Sequence, residues 1–378
     1  MSEQNKDVCI VTQPQRTSGK DHAHDLADII AQITSVVVLT ANLPIDSSLR
    51  ADHEVVEFST RGTGTHIIVE AIRFVLNQIR LCLAIHHRDE GVVLFFGTTS
   101  YLLPVLFSRV VGKTVVLLPR GDVPLSLRLR WEESLPASIA RLFSGLVSIL
   151  EHVNYRLSHA IITYSPRMAD QLCLRQYNEK LYTTGARFVD TEQFNIQVPY
   201  KKREQAIGFV GRLDIGKGIS ELVEASRHFS KNIRLILVGD GECRETIENE
   251  FKTEIENGQI EIVGWVDRTD VPVQLNRLQL LVLPSQMEGL PTVILESMAC
   301  GTPAYATPVS GVPDVVQENQ TGFLMNNIES KTIAGEVEAI LEQENLELIS
   351  RNARELIEDE YSFDAAVERY RSIFKNIL

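Results

Sequence analysis

Neither a disulfide framework nor a zinc knuckle is indicated, because Cys9, Cys82, Cys173, Cys243 and Cys300 are odd in number, widely scattered and free of any CxxC pair. A reducing compartment fits that usage. The first residues, MSEQNKD, precede only a short apolar run. The basic-then-apolar pattern of an export signal is missing, so the expectation is a cytoplasmic protein. Long hydrophobic runs are lacking too. The most apolar window, 91–118, is broken by Gly97, Pro104, Arg109, Gly112 and Lys113, and reads as strand, helix, strand rather than a membrane span. Positive charge is in deficit: a formal net charge of −13 argues against nucleic acid as the main ligand, since a phosphate backbone needs a field of the opposite sign. Any phosphate must be met by local basic clusters. No GxGxxG follows the first strand-like run and no Walker A loop occurs, which disfavours a dinucleotide-dependent dehydrogenase.

What is present points to an α/β chain of two domains, the number that 378 residues suggest. Short β-branched runs recur in the first half: VCIVT from Val8, SVVVLT from Ser35, EVVEF from Glu54, VVLFF from Val92, TVVLL from Thr114 and AIITY from Ala160. Helix-period stretches lie between them, at 20–32, 66–87, 126–157 and 166–176. Strands alternating with helices imply βαβ crossovers and a parallel sheet covered on both faces. The pattern restarts after 195–205, a stretch with Pro199 and the charged run Lys201, Lys202 and Arg203. IGFVG from Ile207, IRLILVG from Ile233, IEIVG from Ile260 and LLVLP from Leu280 form the second set of strands. The expected domains are 1–198 and 199–360, with 361–378 a C-terminal helix returning to the first. Two doubly wound Rossmann-like domains facing a central cleft would place ligands beyond the carboxyl ends of their strands.

The strongest chemical signal is EGLPTVILE from Glu288 to Glu296, directly after the strand LLVLP. Pro291 suits a first helical turn, so Gly289 to Thr292 would form a helix N-terminus whose N–H groups and dipole favour an anion. Glu288 then sits at the loop edge and Glu296 on the same helical face as Thr292. Carboxylates accept hydrogen bonds, which suits vicinal hydroxyls of a sugar or ribose. The alternative is a helix-start acid and a solvated surface residue. At the start of the second half, Gly211-Arg212-Leu213 ends a strand and Gly216-Lys217-Gly218 opens the next helix. Arg212 and Lys217 suit the two phosphates of a nucleotide diphosphate, as a fork and a point charge; a glycine turn with two exposed cations is the alternative.

Together with Leu237-Val238-Gly239-Asp240-Gly241, Gly264-Trp265-Val266, Pro284-Ser285, Ala299-Cys300-Gly301-Thr302-Pro303 and Thr321-Gly322, these motifs resemble the retaining glycosyltransferase family 4. A weaker likeness, including Thr184 to Asp190 with Phe194, extends over most of the chain. The resemblance implies a GT-B fold, with donor bound mainly by the second domain and acceptor by the first. It implies that Arg212 and Lys217 hold the diphosphate of a UDP- or GDP-sugar, that Glu288 holds the donor sugar, and that Glu296 holds the ribose. Glu288, Arg212 and Lys217 are thereby the catalytic candidates. Gly289, Leu290 and Thr292 would offer backbone N–H groups. Gly264 and Trp265 lie where the base is read, although a buried structural Trp is an equal reading. The family's chemistry retains anomeric configuration, using the departing phosphate oxygen as base, so the protein supplies charge stabilisation on the leaving diphosphate. The sequence has no DxD triplet, and neither a metal nor another cofactor is expected.

The likeness weakens in the first half. The paired glycines of many family members are replaced by Arg16-Thr17-Ser18-Gly19-Lys20-Asp21-His22, with Gly19 alone. The histidine that often closes the fifth strand is replaced by Leu118-Pro119-Arg120-Gly121-Asp122. Gly19, Arg120 and Asp122 are therefore the acceptor-side candidates. Asp21, His22, His24 and Asp25 resemble a metal cluster, but His22 and His24 are two apart and point to different helix faces, so helix-start polar residues are the preferred reading. The stretch 126–157 mixes Leu142, Phe143, Leu146, Ile149 and Leu150 with Arg128, Arg130 and Arg141; a peripheral membrane contact for a lipid-linked acceptor competes there with ordinary cover for the sheet. A glycan is the other acceptor class. Two further functions stay open: a nucleotide-sugar epimerase or hydrolase of the same fold, and a non-catalytic nucleotide-sugar-binding subunit of a glycan-assembly complex.

Overall fold

The computed structural model describes residues 7–12, 20–41, 43, 47–58, 67–99, 101–132, 135–230, 232–286 and 288–377, without the side chains at 20, 21 and 67–72. The chain divides into two compact units, Met1–Ala186 with Ala366–Leu378, and Arg187–Ala365. Among the described residues no helix is long and apolar enough to cross a membrane.

The first unit is built on β1 (Val8–Thr12), β2 (Val36–Thr40), β3 (Glu54–Glu57), β4 (Val92–Phe96), β5 (Thr114–Leu118), β6 (Ala160–Ile162) and β7 (Leu181–Tyr182). They form one parallel sheet in the order β3-β2-β1-β4-β5-β6-β7. Register is set at the centre, where β1 pairs Val8 with Val36 of β2 and with Val92 of β4. Every residue of β1 and β4 is buried, which is why these runs are continuously apolar rather than alternating. Among the described residues, the first six helices of this unit are α1 (Lys20–Ala31), α2 (Ser48–Asp52), α3 (Ile67–His86), α4 (Leu102–Val110), α5 (Val123–Glu132) and α6 (Ala137–Leu157). The stretch 126–157, expected as one helical region, is two helices. Pro136 is the N-cap of α6, at φ −55° and ψ 137°, and its ring disfavours a helical residue before it.

The second unit repeats the plan with β8 (Ala206–Val210), β9 (Arg234–Val238), β10 (Ile260–Gly264), β11 (Leu280–Leu283), β12 (Ala304–Ala306) and β13 (Gly322–Leu324). Its parallel order is β10-β9-β8-β11-β12-β13. The segment before Pro199, placed with the first domain by its composition, packs in this unit instead. Asn276 donates to Asn195 O and accepts from the backbone of Gln197 and Val198 at 2.8–3.1 Å, and Val189 N donates to Tyr361 O. At the other end Ala366–Leu378, most of the last helix, clusters with the first unit.

Candidate functional site

Every candidate donor residue leaves the carboxyl edge of the second sheet. β8 and β11 are hydrogen-bonded neighbours although their starts, Ala206 and Leu280, are 74 positions apart, and the strand order reverses between them. Chains diverge to opposite faces at such a point and leave a crevice outside the strand ends. The backbone there is shaped by glycine. Gly239, at φ +134°, follows β9, and a Cβ on it would lie 1.9 Å from Gly211 O after β8. Gly218, at φ +67°, closes the turn Ile215–Lys217, and a Cβ on it would lie 2.2 Å from Pro284 O. Only glycine lets the loop after β8 press against the loop after β11. Gln286 N donates to Gly216 O at 3.2 Å across the same seam.

That close approach brings two of the predicted groups together. Lys217 Nζ lies 2.6 Å from Glu288 Oε1, with the two side chains 26% and 10% exposed. Separate roles were expected for them, yet each is the other's partner. Arg212 is not drawn into this pair. Its guanidinium is 69% exposed and held by Asp214 Oδ2 at 2.6 Å. Pro291, expected inside the first turn, is the N-cap of the helix Thr292–Ala299, at φ −70° and ψ 119°, so the helix starts one residue later. Gly289 O accepts from Gly311 N at 3.0 Å and Leu290 is buried. Together they fix the turn that aims this N-terminus. Glu296 is buried rather than solvated, and Arg268 Nη2 reaches its Oε1 at 3.3 Å. Arg268, which also lies 5.8 Å from the Phe194 ring, was not a sequence candidate. Its only signal is a guanidinium four residues past Gly264, in the loop at a strand's carboxyl end. Trp265 is 70% exposed, which removes the buried structural reading and leaves an open indole face beside Gly264.

Residues 190–356, which include all of these positions, match the family model described as glycosyl transferases group 1. Alpha-D-kanosaminyltransferase of Streptomyces kanamyceticus is 24% identical over 354 residues, 89% of this chain and 87% of that protein. The structure of HepE from Anabaena in complex with UDP-glucose superposes with a TM-score of 0.73 at 17% identity, covering 98% of this chain and 100% of that one. The chain is a glycosyltransferase of GT-B fold. The UDP-Gal:alpha-D-GlcNAc-diphosphoundecaprenol alpha-1,3-galactosyltransferase of Escherichia coli is 24% identical over 180 residues, 46% of each protein.

In the first unit of this glycosyltransferase the acceptor-side candidates separate. Gly19 lies outside the described residues. Arg120 stacks its guanidinium 4.7 Å from the centroid of Phe96, a cation–π contact at the end of β4. Asp122 Oδ1 accepts from Leu125 N at 2.9 Å and so caps α5. It also lines a cavity of about 370 Å³ with Arg128, Arg141, Glu151 and His152. Glu151 was missed in the sequence. It is the one carboxylate in the 21 residues of α6, buried, and its Oε1 accepts from Thr98 Oγ1 at 2.8 Å and Thr99 Oγ1 at 2.5 Å after β4. Burial pushes its carboxyl above the usual range, and the two threonine hydroxyls only partly offset that.

Proposed function

We propose that this glycosyltransferase is a retaining enzyme of the family 4 type that takes a sugar from a UDP- or GDP-sugar. The observation that carries the reading is the Lys217–Glu288 pair at the strand-order reversal, with an exposed Arg212 in the same loop after β8 and the helix Thr292–Ala299 beginning shortly after Glu288 in the chain. A donor diphosphate is the anion that an ammonium, a guanidinium and a helix N-terminus stabilise together as charge develops on it. On donor binding Lys217 passes from the carboxylate to the phosphate, and Glu288 is released to accept hydrogen bonds from the sugar hydroxyls. Glu296, oriented by Arg268, takes the ribose, and Trp265 offers its ring to the base. The departing phosphate oxygen removes the acceptor's proton, so no protein nucleophile is required. Mass spectrometry of reactions with a panel of UDP- and GDP-sugars, followed by NMR of the new anomeric centre, tests this. Inversion at that centre would refute the retaining course.

The acceptor reading is a lipid-linked sugar met at an anionic membrane surface. Leu142, Leu146, Ile149 and Val153 form a stripe on α6 that is 40–62% exposed, and Phe74, Val75, Ile79 and Leu83 are exposed along α3. These side chains do not cover the sheet. The Escherichia coli relative is named for a diphosphoundecaprenol acceptor. Of the three arginines first associated with this surface, Arg128 and Arg141 line the cavity instead, so the apolar stripe is the part to change. Co-sedimentation with anionic vesicles at low salt should be lost in Leu142→Gln with Ile149→Gln. Equal pelleting of both proteins counts against the stripe, and pelleting of neither against the membrane.

A further inference from the structure

The histidines and aspartates after residue 20 regroup in the structure. His22 Nδ1 turns to Asp25 Oδ2 at 3.8 Å. His24 and Asp28, one turn apart on α1, face His53, the residue after α2. His53 Nε2 is 2.7 Å from Asp28 Oδ1, and His24 Nε2 is 3.6 Å from that same oxygen and 3.0 Å from Asp52 Oδ2. One donor atom from each of His24, Asp28 and His53 lies within 4.8 Å of the other two. Ligand atoms at 2.0–2.1 Å from a tetrahedral ion stand about 3.3 Å apart, and the contacts of Asp28 and His24 bracket that edge. A second observation concerns the His24 ring itself. His24 Nε2 is sealed from solvent and makes no hydrogen bond, although two carboxylate oxygens flank it. A ring nitrogen aimed among carboxylate oxygens without donor geometry is placed as a metal ligand would be. Its other nitrogen, Nδ1, meets Ser48 Oγ at 3.2 Å, the kind of outer contact that fixes a metal-bound imidazole.

We propose that His24, Asp28 and His53 bind one divalent transition-metal ion, zinc first, with Asp52 or water in the fourth position. Two imidazoles with carboxylate suit zinc and its neighbours rather than calcium or magnesium, which take oxygen ligands. The role is structural and separate from the donor site: the ion ties α1 to the end of α2, next to the edge strand β3. The test uses the full chain stripped of metal and titrated with zinc, with bound metal counted after desalting and the melting temperature followed. Wild type and His22→Gln should each retain about one equivalent and melt higher with zinc, because a ligand specific to the native state stabilises it. His24→Gln and His53→Gln, checked for native circular dichroism, should each bind at least about tenfold more weakly. Asp52→Asn separates the fourth position: weakened binding assigns it to Asp52, undiminished binding to water, and both keep the three-residue core. Failure of wild type to retain zinc would leave a histidine–aspartate ion-pair network only. Undiminished binding in both histidine variants would place the ion elsewhere. Either result overturns the proposal.

Discussion

If Lys217 and Glu288 exchange partners when donor binds, changing Lys217 must weaken nucleotide binding and changing Glu288 must not. At 2.6 Å the Coulomb attraction is about 6 kcal/mol for an effective dielectric of 20. Desolvation of the two groups cancels most of it, leaving the worth of one charge-assisted hydrogen bond, roughly 1.5–3 kcal/mol. In Lys217→Met that contact with phosphate is lost, so UDP or GDP should bind about ten- to 150-fold more weakly. In Glu288→Gln the ammonium no longer has to leave a carboxylate, and the same nucleotide should bind equally well or up to about tenfold more tightly. Turnover of the nucleotide sugar should nevertheless fall in both, because Glu288 acts on the sugar that UDP lacks. Isothermal calorimetry with UDP and GDP, beside steady-state kinetics, reads both quantities. The reasoning fails if Glu288→Gln weakens nucleotide binding as much as Lys217→Met does.

Three further changes extend the test. Arg212→Ala should weaken nucleotide diphosphate binding about tenfold with the fold intact; unchanged calorimetry removes this exposed side chain from the site. Glu296→Gln should raise KM for the nucleotide sugar with little change in kcat, the mark of a contact made equally before and during reaction, and a pure kcat effect would contradict the ribose role. Glu151 has a carboxyl raised above its ordinary 4.5 by burial, so the native state holds the proton more tightly than the unfolded chain does. Its contribution to stability is present at low pH and is lost as pH rises from about 4.5 through the raised value. Glu151→Gln, which keeps an oxygen for Thr98 and Thr99, should flatten that part of the curve of unfolding free energy against pH; an identical slope in the variant refutes the assignment.

The central strands were legible because burial on both faces writes them as near-continuous apolar runs, as in β1, β4 and β9. The short outer strands were not. β7, β12 and β13 are two or three residues long, and β12 reads Ala-Tyr-Ala, too little chain for a period and too little branching for a propensity. Within the site, residue type and position after a strand were enough to single out Lys217 and Glu288. Their contact was not readable, because the partners are 71 positions apart and meet only through the glycine-dependent approach of two loops. Glu151 was hidden differently. A lone acid in an apolar helix reads as a break in the stripe, and only the fold reveals the threonine hydroxyls after β4 that it serves.

Charge was the poorest guide of all at the start of the second unit. Lys201, Lys202 and Arg203 read together as a charged run marking the domain boundary, yet Arg203 is 6% exposed. Its guanidinium donates to the carbonyls of Val198, Leu278, Cys300 and Gly301 and to Thr302 Oγ1 at 2.5–3.1 Å. Leu278 and Cys300 are the C-caps of the helices Val271–Arg277 and Thr292–Ala299, where carbonyls run out of backbone partners and the dipole favours a cation. Five fixed donors meet that need as an ammonium could not. Arg354 does the same for the preceding segment, reaching Thr191 O, Phe194 O and Ala299 O. The helix Thr292–Ala299, whose N-terminus faces the proposed donor diphosphate, is thus held at its other end by two arginines. The edge of the unit lies where those carbonyls are satisfied, upstream of the proline and the charges that seemed to mark it.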